Sequence, residues 1–582
     1  MEHSTIQPPT PTPSDLFSWF DYGIFSVMLL VSIIIGVYFG FFGKKQQSAV
    51  EYLRGGKQMK VLPVAVSLIA SQISTTTLLA VPADVYKFGG NYMWLFFPTI
   101  IECFITYHVF LPVYYKLQLT SIFEYVELRF DKKLRFLISF FAIIIGCLFA
   151  PIVIYIPSLA FSQVTGVNVH LIACITSAIC IFYTTIGGLK AVVWTDTLQF
   201  GAMVVTFTTL LFMGVSDVRG FSFVWNKSVE GQRLNIFDFD PTLRDSFGAI
   251  MIGGTVQWLG YTAINPGVIQ KFLSVPKYSD VKKVVSIFGI GVSLIHIFAG
   301  FTGLVLYAKY WNCDPMSTKE VVKLEQLVPY FAMEIMGSYP GLPGIFIAGI
   351  YSAGLSSLSA YLNTLSALIY EDFIKPFVPK ETSQKTVSNI LKLIVLVSGI
   401  VSTLLVLVIE KLQGMFLVHT ALIAVTLGPM LGIFTLGLLI PMANSKGTFV
   451  GAVSASVIIA WITIQNQKYQ NENLYHEFIK PISTEGCNFT VTSNTTMTTH
   501  SVDVDHTFIL YQISVWFYCL IGCTITVIVG VIISYFTTHD KLPVPLDLLS
   551  PVIHPFFREK VVNTEQVEFS GTKEVELQLL KR

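Results

Sequence analysis

Charge is scarce along this chain. Lys and Arg number 37 and Asp and Glu 36 among 582 residues, which makes 13% charged, where soluble domains run near ~25%. No basic run stands out, so nothing in the sequence points to nucleic acid. Cysteine is equally sparse. Cys103, Cys147, Cys174, Cys180, Cys519 and Cys523 sit in apolar runs and read as packing residues, and no spacing resembles a zinc site. Cys313 and Cys487 lie in polar loops that are read as outer ones; a disulfide between them is one reading and two unpaired thiols the other, since sequence gives no distance. The opening MEHSTIQPPTPTPSD has no basic segment and is too polar for a cleavable signal peptide. HExxH, GxSxG and clustered His/Asp arrays are missing, so an enzyme is not expected.

Apolar residues fill the space that charge leaves. They make up 53% of the chain, and mean hydropathy is +0.65. The sequence predicts an all-α polytopic membrane protein. About thirteen spans are expected, near Tyr22–Phe42, Val64–Gly90, Tyr92–Tyr114, Leu137–Phe161, Leu171–Ile186, Ala191–Met213, Phe247–Val268, Val284–Ala308, Gly344–Asp372, Ile390–Val408, Met415–Pro441, Phe449–Ile464 and Phe508–Phe536. Residues 1–21 form an N-terminal segment, 22–536 the membrane domain and 537–582 a polar tail. Basic residues after the first and third spans, and Lys271, Lys277, Lys282 and Lys283 after the seventh, mark cytoplasmic loops. The N-terminus is then outside, the C-terminus inside and the location the plasma membrane. The glycosylation sequons at Asn226, Asn488 and Asn494 fall in outer loops under this count.

Two stretches are not ordinary lipid-facing helices. In Gly344–Asp372, Gly349, Ala353, Ser356, Ala360, Asn363 and Ala367 share one helical face of small or polar residues. Such a stripe suits a close helix–helix seam, and it equally suits a hard cation that takes hydroxyl and carbonyl oxygens. Val64–Gly90 is apolar at both ends but carries Ser71, Gln72, Ser74, Thr75, Thr76 and Thr77 at its middle. A span broken by polar residues at mid-depth is tolerated where it lines protein or a cavity. The hydroxyls could also satisfy themselves on the preceding turn. A second break is expected at Tyr261–Gly267, where Pro266 removes a donor and Gly267 relaxes the backbone. Spans two to six (about 61–213) and seven to eleven (about 247–441) each open with an interrupted span. Two groups of five necessarily run in opposite directions, so an inverted 5+5 repeat is expected, with a site between the broken helices.

Candidate substrate contacts on these breaks are Gln72, Thr75, Thr76, Thr77, Trp258 and Tyr261. Glu102, His108, His296 and His419 lie inside spans and are assigned no role.

The turn YTTIGGLKAVVWTDTLQ (Tyr183–Gln199) resembles the signature of the sodium:solute symporter family. SLIAS (Ser67–Ser71), LTSIFEYVELRF, NPGVIQKFLS and GLSSLSAYLN are also similar to that family's motifs, and the resemblance spans roughly residues 20–540. YSAGLSSLSAYLNTLSALIYEDFIKP is most similar to the branch carrying monocarboxylates, iodide and water-soluble vitamins. The Glu that sugar-carrying members typically place before a Trp is missing from Gly89–Trp94. The resemblance implies a leucine-transporter-like fold and alternating access, with Na+ as the co-transported ion. It further implies a main sodium site from the carbonyls of Ala70, Ile73 and Ala353 and the hydroxyls of Ser356 and Ser357. Asp196, with Ser357 nearby, is the implied candidate for a second sodium site or the inward exit path; the alternative is an interfacial Asp paired to a basic loop residue or capping a helix. The expected function is sodium-coupled import of a small organic monoanion such as a monocarboxylate. Biotin or pantothenate uptake and iodide uptake are the alternatives, and a non-transporting sensor or an uncoupled uniporter is the competing class. The partners expected are the anion, sodium and the bilayer, with homo-oligomerisation left open. With no fixed countercharge at mid-membrane, at least two sodiums per anion are expected.

Overall fold

Inside a bilayer, backbone polar groups are satisfied only within helices or closed barrels. The computed structural model takes the helical route and describes residues 17–42, 59–119, 121–234, 237–379, 381–410, 415–471, 479–487, 509–537 and 544–556, with no strand among them. The sequons at Asn488 and Asn494 and most of the two terminal segments fall outside what is described, and of His419 only the backbone, within a helix, is described.

α1 (Trp19–Val37) starts with Ser18 and Asp21 capping each other. The buried Asp21 carboxylate also accepts the N–H groups of Gly341 at 3.0 Å and Gly344 at 2.8 Å. α2 (Val61–Gln72) and α3 (Thr76–Phe88) form one span bent by 60°. At the bend Ile73 is extended (φ −85°, ψ 102°), and the Ser74 and Thr76 hydroxyls bond each other. The break itself falls at Ile73 and Ser74, and the three β-branched residues Thr75, Thr76 and Thr77 lie just past it as the start of the second arm. α4 (Gly90–Leu117) follows, then the short α5 (Ile122–Arg129), whose Ile122, Phe123, Tyr125 and Val126 are buried. Buried Arg129 donates to the carbonyls of Gly437, Ile440 and Pro441, each at 3.1 Å. α5 is thus packed into the protein rather than resting on a surface.

α6 (Lys132–Thr165) is capped by Asp131 and stopped by Gly166 in the left-handed conformation. α7 (Val169–Asp217) runs for 49 residues with one non-helical residue, Gly188 (φ 56°, ψ −159°). The tight turn expected between two spans is this single glycine kink. α8 (Phe221–Glu230) lies in the following loop. α9 (Thr255–Ala263) and α10 (Pro266–Phe272) make the second broken pair. Asn265 caps α10 through its side-chain oxygen, which accepts from Gly267 N at 2.9 Å and Val268 N at 3.4 Å. α11 (Tyr278–Tyr310) and short α12 (Leu327–Met336) lead to α13 (Leu342–Ile369).

α13 is the most enclosed of the long apolar helices, with 83% of its apolar centre buried. Its small residues make this enclosure achievable: a Cβ on Gly349 would collide with Thr206, and one on Gly354 would press on the Val153 carbonyl and Pro157. α14 (Gln384–Ile409) shows the opposite pattern, with Leu393, Val397, Ile400, Leu404 and Val408 exposed along one stripe, as a lipid face requires. α15 (Met415–Leu439), α16 (Ser445–Asn471) and α17 (Phe517–Thr537) pack together, with α16 brought close to α17 at Gly447 and Gly451. Residues 544–556 fold back so that Leu548 O accepts the Tyr125 hydroxyl at 2.9 Å. Nine described helices are long and apolar enough to cross a membrane, and the α2–α3 pair adds one more.

Candidate functional site

The break between α2 and α3 lies against the middle of α13. There the Ser357 hydroxyl faces the carbonyls of Ile73 at 3.4 Å and Ser71 at 3.5 Å. Ala70, one turn before Ile73, and Ala353, one turn before Ser357, are both fully buried. The two stretches that stand out in the sequence therefore meet, and of the oxygens named for the main sodium site the Ser357 hydroxyl and the Ile73 carbonyl face each other there, joined by the Ser71 carbonyl.

Ser356, the next residue, turns elsewhere. Its hydroxyl donates to Asp196 Oδ1 at 2.7 Å, while Ser67 donates to Oδ2 at 2.6 Å. Asp196 is fully buried. It lies within the protein rather than on its surface, and its direct serine partner is Ser356, with Ser357 the next residue along the helix. The helix resumes directly after Gly188, so eight residues of rise, about 12 Å, carry Asp196 into the protein.

Lys271, which the sequence groups with the loop lysines, is instead buried, with 3% of its side chain exposed, and forms an ion pair with Asp196 at 3.0 Å. Its ammonium also donates to Ser67 O and Ser71 Oγ, both at 3.1 Å. Three oxygen partners match its three N–H donors. The physical cause is the Asn265 break: α10 packs on both α2 and α13, so its last turn points back to the first broken helix. A fixed cation therefore does stand beside the first break, but Asp196 balances it, so the pair adds no net countercharge for an anion. A carbonyl, a hydroxyl and a carboxylate oxygen around one ammonium form the kind of shell a sodium ion would take, and here a tethered cation occupies it.

Above this cluster opens a cavity of about 810 Å³. Gln72, Thr76, Thr77, Trp258 and Tyr261 line it, as do Ser71, Ser357 and Lys271 at its base. Thr75 does not. It is fully buried near Gly354 of α13, because the bend turns it away from the opening, and it leaves the set of candidate substrate contacts. The sequence reading missed Gln257, Asn265, Gln270, Tyr361 and Asn363, which also line the cavity. Among the described residues Gln72 Nε2, both amide atoms of Gln270, Asn363 Oδ1 and the Tyr361 hydroxyl have no protein partner. Buried polar atoms rarely stay unpaired, so these are the atoms a polar ligand would satisfy. Amides inside apolar helical stretches were the available signal. Towards the other end of the cavity Arg244 pairs with Asp84 at 2.5 Å and lies 3.8 Å from the Phe88 ring centre.

At one end of the bundle Cys313 and Cys487 are disulfide-bonded, and Gly486 N donates to Asn312 O at 2.9 Å. Arg233 holds the neighbouring segment to Pro481 O at 2.6 Å and to Tyr86 O at 3.2 Å; burial lowers its pKa to about 10, so it stays cationic at neutral pH. Asn226 is exposed on α8, and its neighbour Lys227 lies 3.8 Å from the ring centre of Trp311, two residues before Cys313. In the folded helix the Ser228 hydroxyl of that sequon is buried and bonded to Val224 O at 2.7 Å.

Residues 52–454 match the sodium:solute symporter family. The chain is 38% identical to the sodium-coupled monocarboxylate transporter 1 of Xenopus laevis, over 90% of this chain and 86% of that protein. It is 36% identical to the human sodium-coupled monocarboxylate transporter 2 over 90% and 85%, and 34% identical to the human sodium/iodide cotransporter over 77% and 70%. Among solved structures, an outward-open, substrate-bound Na+-coupled sialic acid symporter aligns with a TM-score of 0.72 at 22% identity, over 90% of this chain and 99% of the other. That likeness is one of fold.

Proposed function

The chain belongs to the sodium:solute symporter family, and from that premise we propose that it imports a small organic monoanion with sodium across the plasma membrane by alternating access. Sodium-coupled symport of a small organic solute is what family membership and the monocarboxylate-transporter relatives support; the monocarboxylate as this chain's own substrate is the step we add. The observation that carries it is the meeting of Ser357 with the Ile73 and Ser71 carbonyls at the base of a cavity ringed by unpartnered amides. Neutral hard oxygens suit a monovalent ion that must also be released. Ala70, Ile73, Ala353 and Ser357 form the sodium site in this reading. Gln72, Gln270, Tyr361 and Asn363 contact the anion, with Trp258 and Tyr261 as aromatic walls.

Thirteen crossings with the N-terminus outside are the topology that fits. A 49-residue α7 is about 74 Å long, more than two bilayer cores, so its two arms on either side of Gly188 read as separate spans. The disulfide and Asn226 lie together at one end, which suits an oxidising outer face. The two broken pairs opening groups of five support the inverted repeat.

A larger anion such as biotin or pantothenate is the second substrate reading. The cavity, at about 810 Å³, is in the range that encloses drug-sized ligands and exceeds what a short monocarboxylate fills. Uptake of labelled L-lactate, nicotinate, biotin and iodide into cells expressing the protein, in sodium or choline medium, separates these. Lactate or nicotinate entering only in sodium is expected. Equal uptake in choline, or no uptake of any organic anion by protein confirmed at the cell surface, would refute the proposal.

A further inference from the structure

Five carboxylates among the described residues are buried, and four are compensated. Asp196 has Lys271, Glu371 has Lys375, and Asp21 and Asp314 accept backbone N–H groups. Glu102, at the centre of α4, is the exception. It is fully buried, and its contacts are Thr262 Oγ1 at 3.1 Å and Cys103 Sγ at 3.3 Å on one oxygen and Thr106 Oγ1 at 3.3 Å on the other. No Lys, Arg or His pairs with it among the described residues.

The surrounding elements bring no countercharge. His296 of α11 bonds Thr99, a turn away, at 3.3 Å and packs on Trp258 and Tyr92. Tyr261, beside Thr262 on α9, lines the cavity. In the turn after Ile105, His108 packs on Phe104 and Tyr107, and Tyr107 stacks on Tyr278. The Cys519 thiol of α17 bonds Val256 O on α9. An isolated carboxylate this deep is strongly disfavoured against its neutral acid. Thr262 is also the last residue but one of α9, where unpaired carbonyls give the half-helix a partial negative charge. That end opposes a carboxylate and favours a carboxylic acid that donates.

We propose that Glu102 is a proton-binding site of the transport cycle. In the conformation described it is the neutral acid, with its O–H donated to Thr262 Oγ1 and Thr106 donating to the other oxygen. When the end of α9 shifts at the Asn265 break, Thr262 leaves, water enters and takes the proton, and the carboxylate is solvated until α9 returns. The coupling to transport rests on the symport reading above; the protonation does not.

Two measurements on the full-length protein test this, and only one needs a substrate. In lipid nanodiscs, infrared spectra of wild type and E102Q at pH 7 should differ by one carbonyl band of a protonated carboxylic acid, present in the wild type only. No such loss would show Glu102 ionised and overturn the proposal, whatever the protein transports. In cells, sodium-driven L-lactate uptake should fall at least threefold from pH 6 to pH 8.5 in wild type and stay flat in E102Q, with half-activating sodium within twofold of wild type. A wild-type pH profile in E102Q, or sodium activation lost with its pH dependence retained, overturns the coupling. If E102Q fails to reach the surface, T262V, which removes the partner hydroxyl, should move the pH midpoint of uptake; an unmoved midpoint overturns the coupling equally.

Discussion

Adjacent serines on one helix divide between two tasks. Ser357 points to the carbonyls of the α2–α3 break, and Ser356 is committed to Asp196. Ser357→Ala should therefore remove a hard-oxygen ligand directly. One lost ligand worth about 1.4 kcal/mol raises half-activating sodium about tenfold. Ser359→Ala should leave it unchanged, since that hydroxyl bonds Ser356 O at 3.1 Å on its own helix and Tyr183 on α7, not the break. Sodium titration of uptake reads both; an unaltered half-activation in Ser357→Ala would place the ion elsewhere. The residue types of this site were legible in the sequence as a polar stripe. Which of two neighbouring hydroxyls meets the break was not, because a helix turns about 100° per residue and only the packing sets its rotation.

At the scale of elements, the two breaks organise the site. The α2–α3 bend exposes carbonyls, and the Asn265 break returns α10 so that Lys271 reaches Asp196. Asn265 holds that second turn by capping two N–H groups. Asn265→Ala should cost about 1 kcal/mol of stability and loosen α10. Asn265→Asp, which keeps the accepting oxygen, should retain more stability. Thermal unfolding in detergent and uptake rate are the measurements; equal melting temperatures for the two variants would show that the cap does not hold the turn. Both breaks were readable to within a few residues, the first falling just before the Thr75–Thr77 run and the second just before Pro266. The direction in which each outgoing half-helix runs was not, and that direction moved Lys271 from a supposed loop into the core and Thr75 out of the cavity.

For the whole molecule the consequence is charge. A tenfold sodium gradient supplies about 1.4 kcal/mol per ion, and a potential of about 60 mV adds about 1.4 kcal/mol per net positive charge. Lys271 neutralises Asp196 internally, so the pair needs no second sodium. One sodium with one monoanion is then electroneutral and sustains roughly tenfold accumulation. With the Glu102 proton released and retaken on one side of the membrane, L-lactate should enter wild type without current under voltage clamp. Lys271→Gln leaves Asp196 buried and uncompensated, at a cost of about 3–5 kcal/mol that a second sodium can relieve. It should show an inward current and sigmoid sodium activation, abolished by adding Asp196→Asn. A current of one charge per anion in wild type would mean that sodium displaces Lys271 during transport.

The sequence by itself determined the class, the helical architecture and the neighbourhood of the two interrupted spans, because these depend on local composition: low charge sets the solvent, and polar, proline and glycine residues mark where a span is weakest, although Pro151, Pro157 and Pro429 stay inside helices. It also marked Cys313 and Cys487, which are joined, since both stand in polar loops. Only the tertiary structure decided the partners. Asp196 and Lys271 are 75 positions apart, and Glu102 and Thr262 are 160 apart. Whether such groups meet is fixed by the bend at each break and the rotation of each helix, and the energy of a buried charge depends on what it meets.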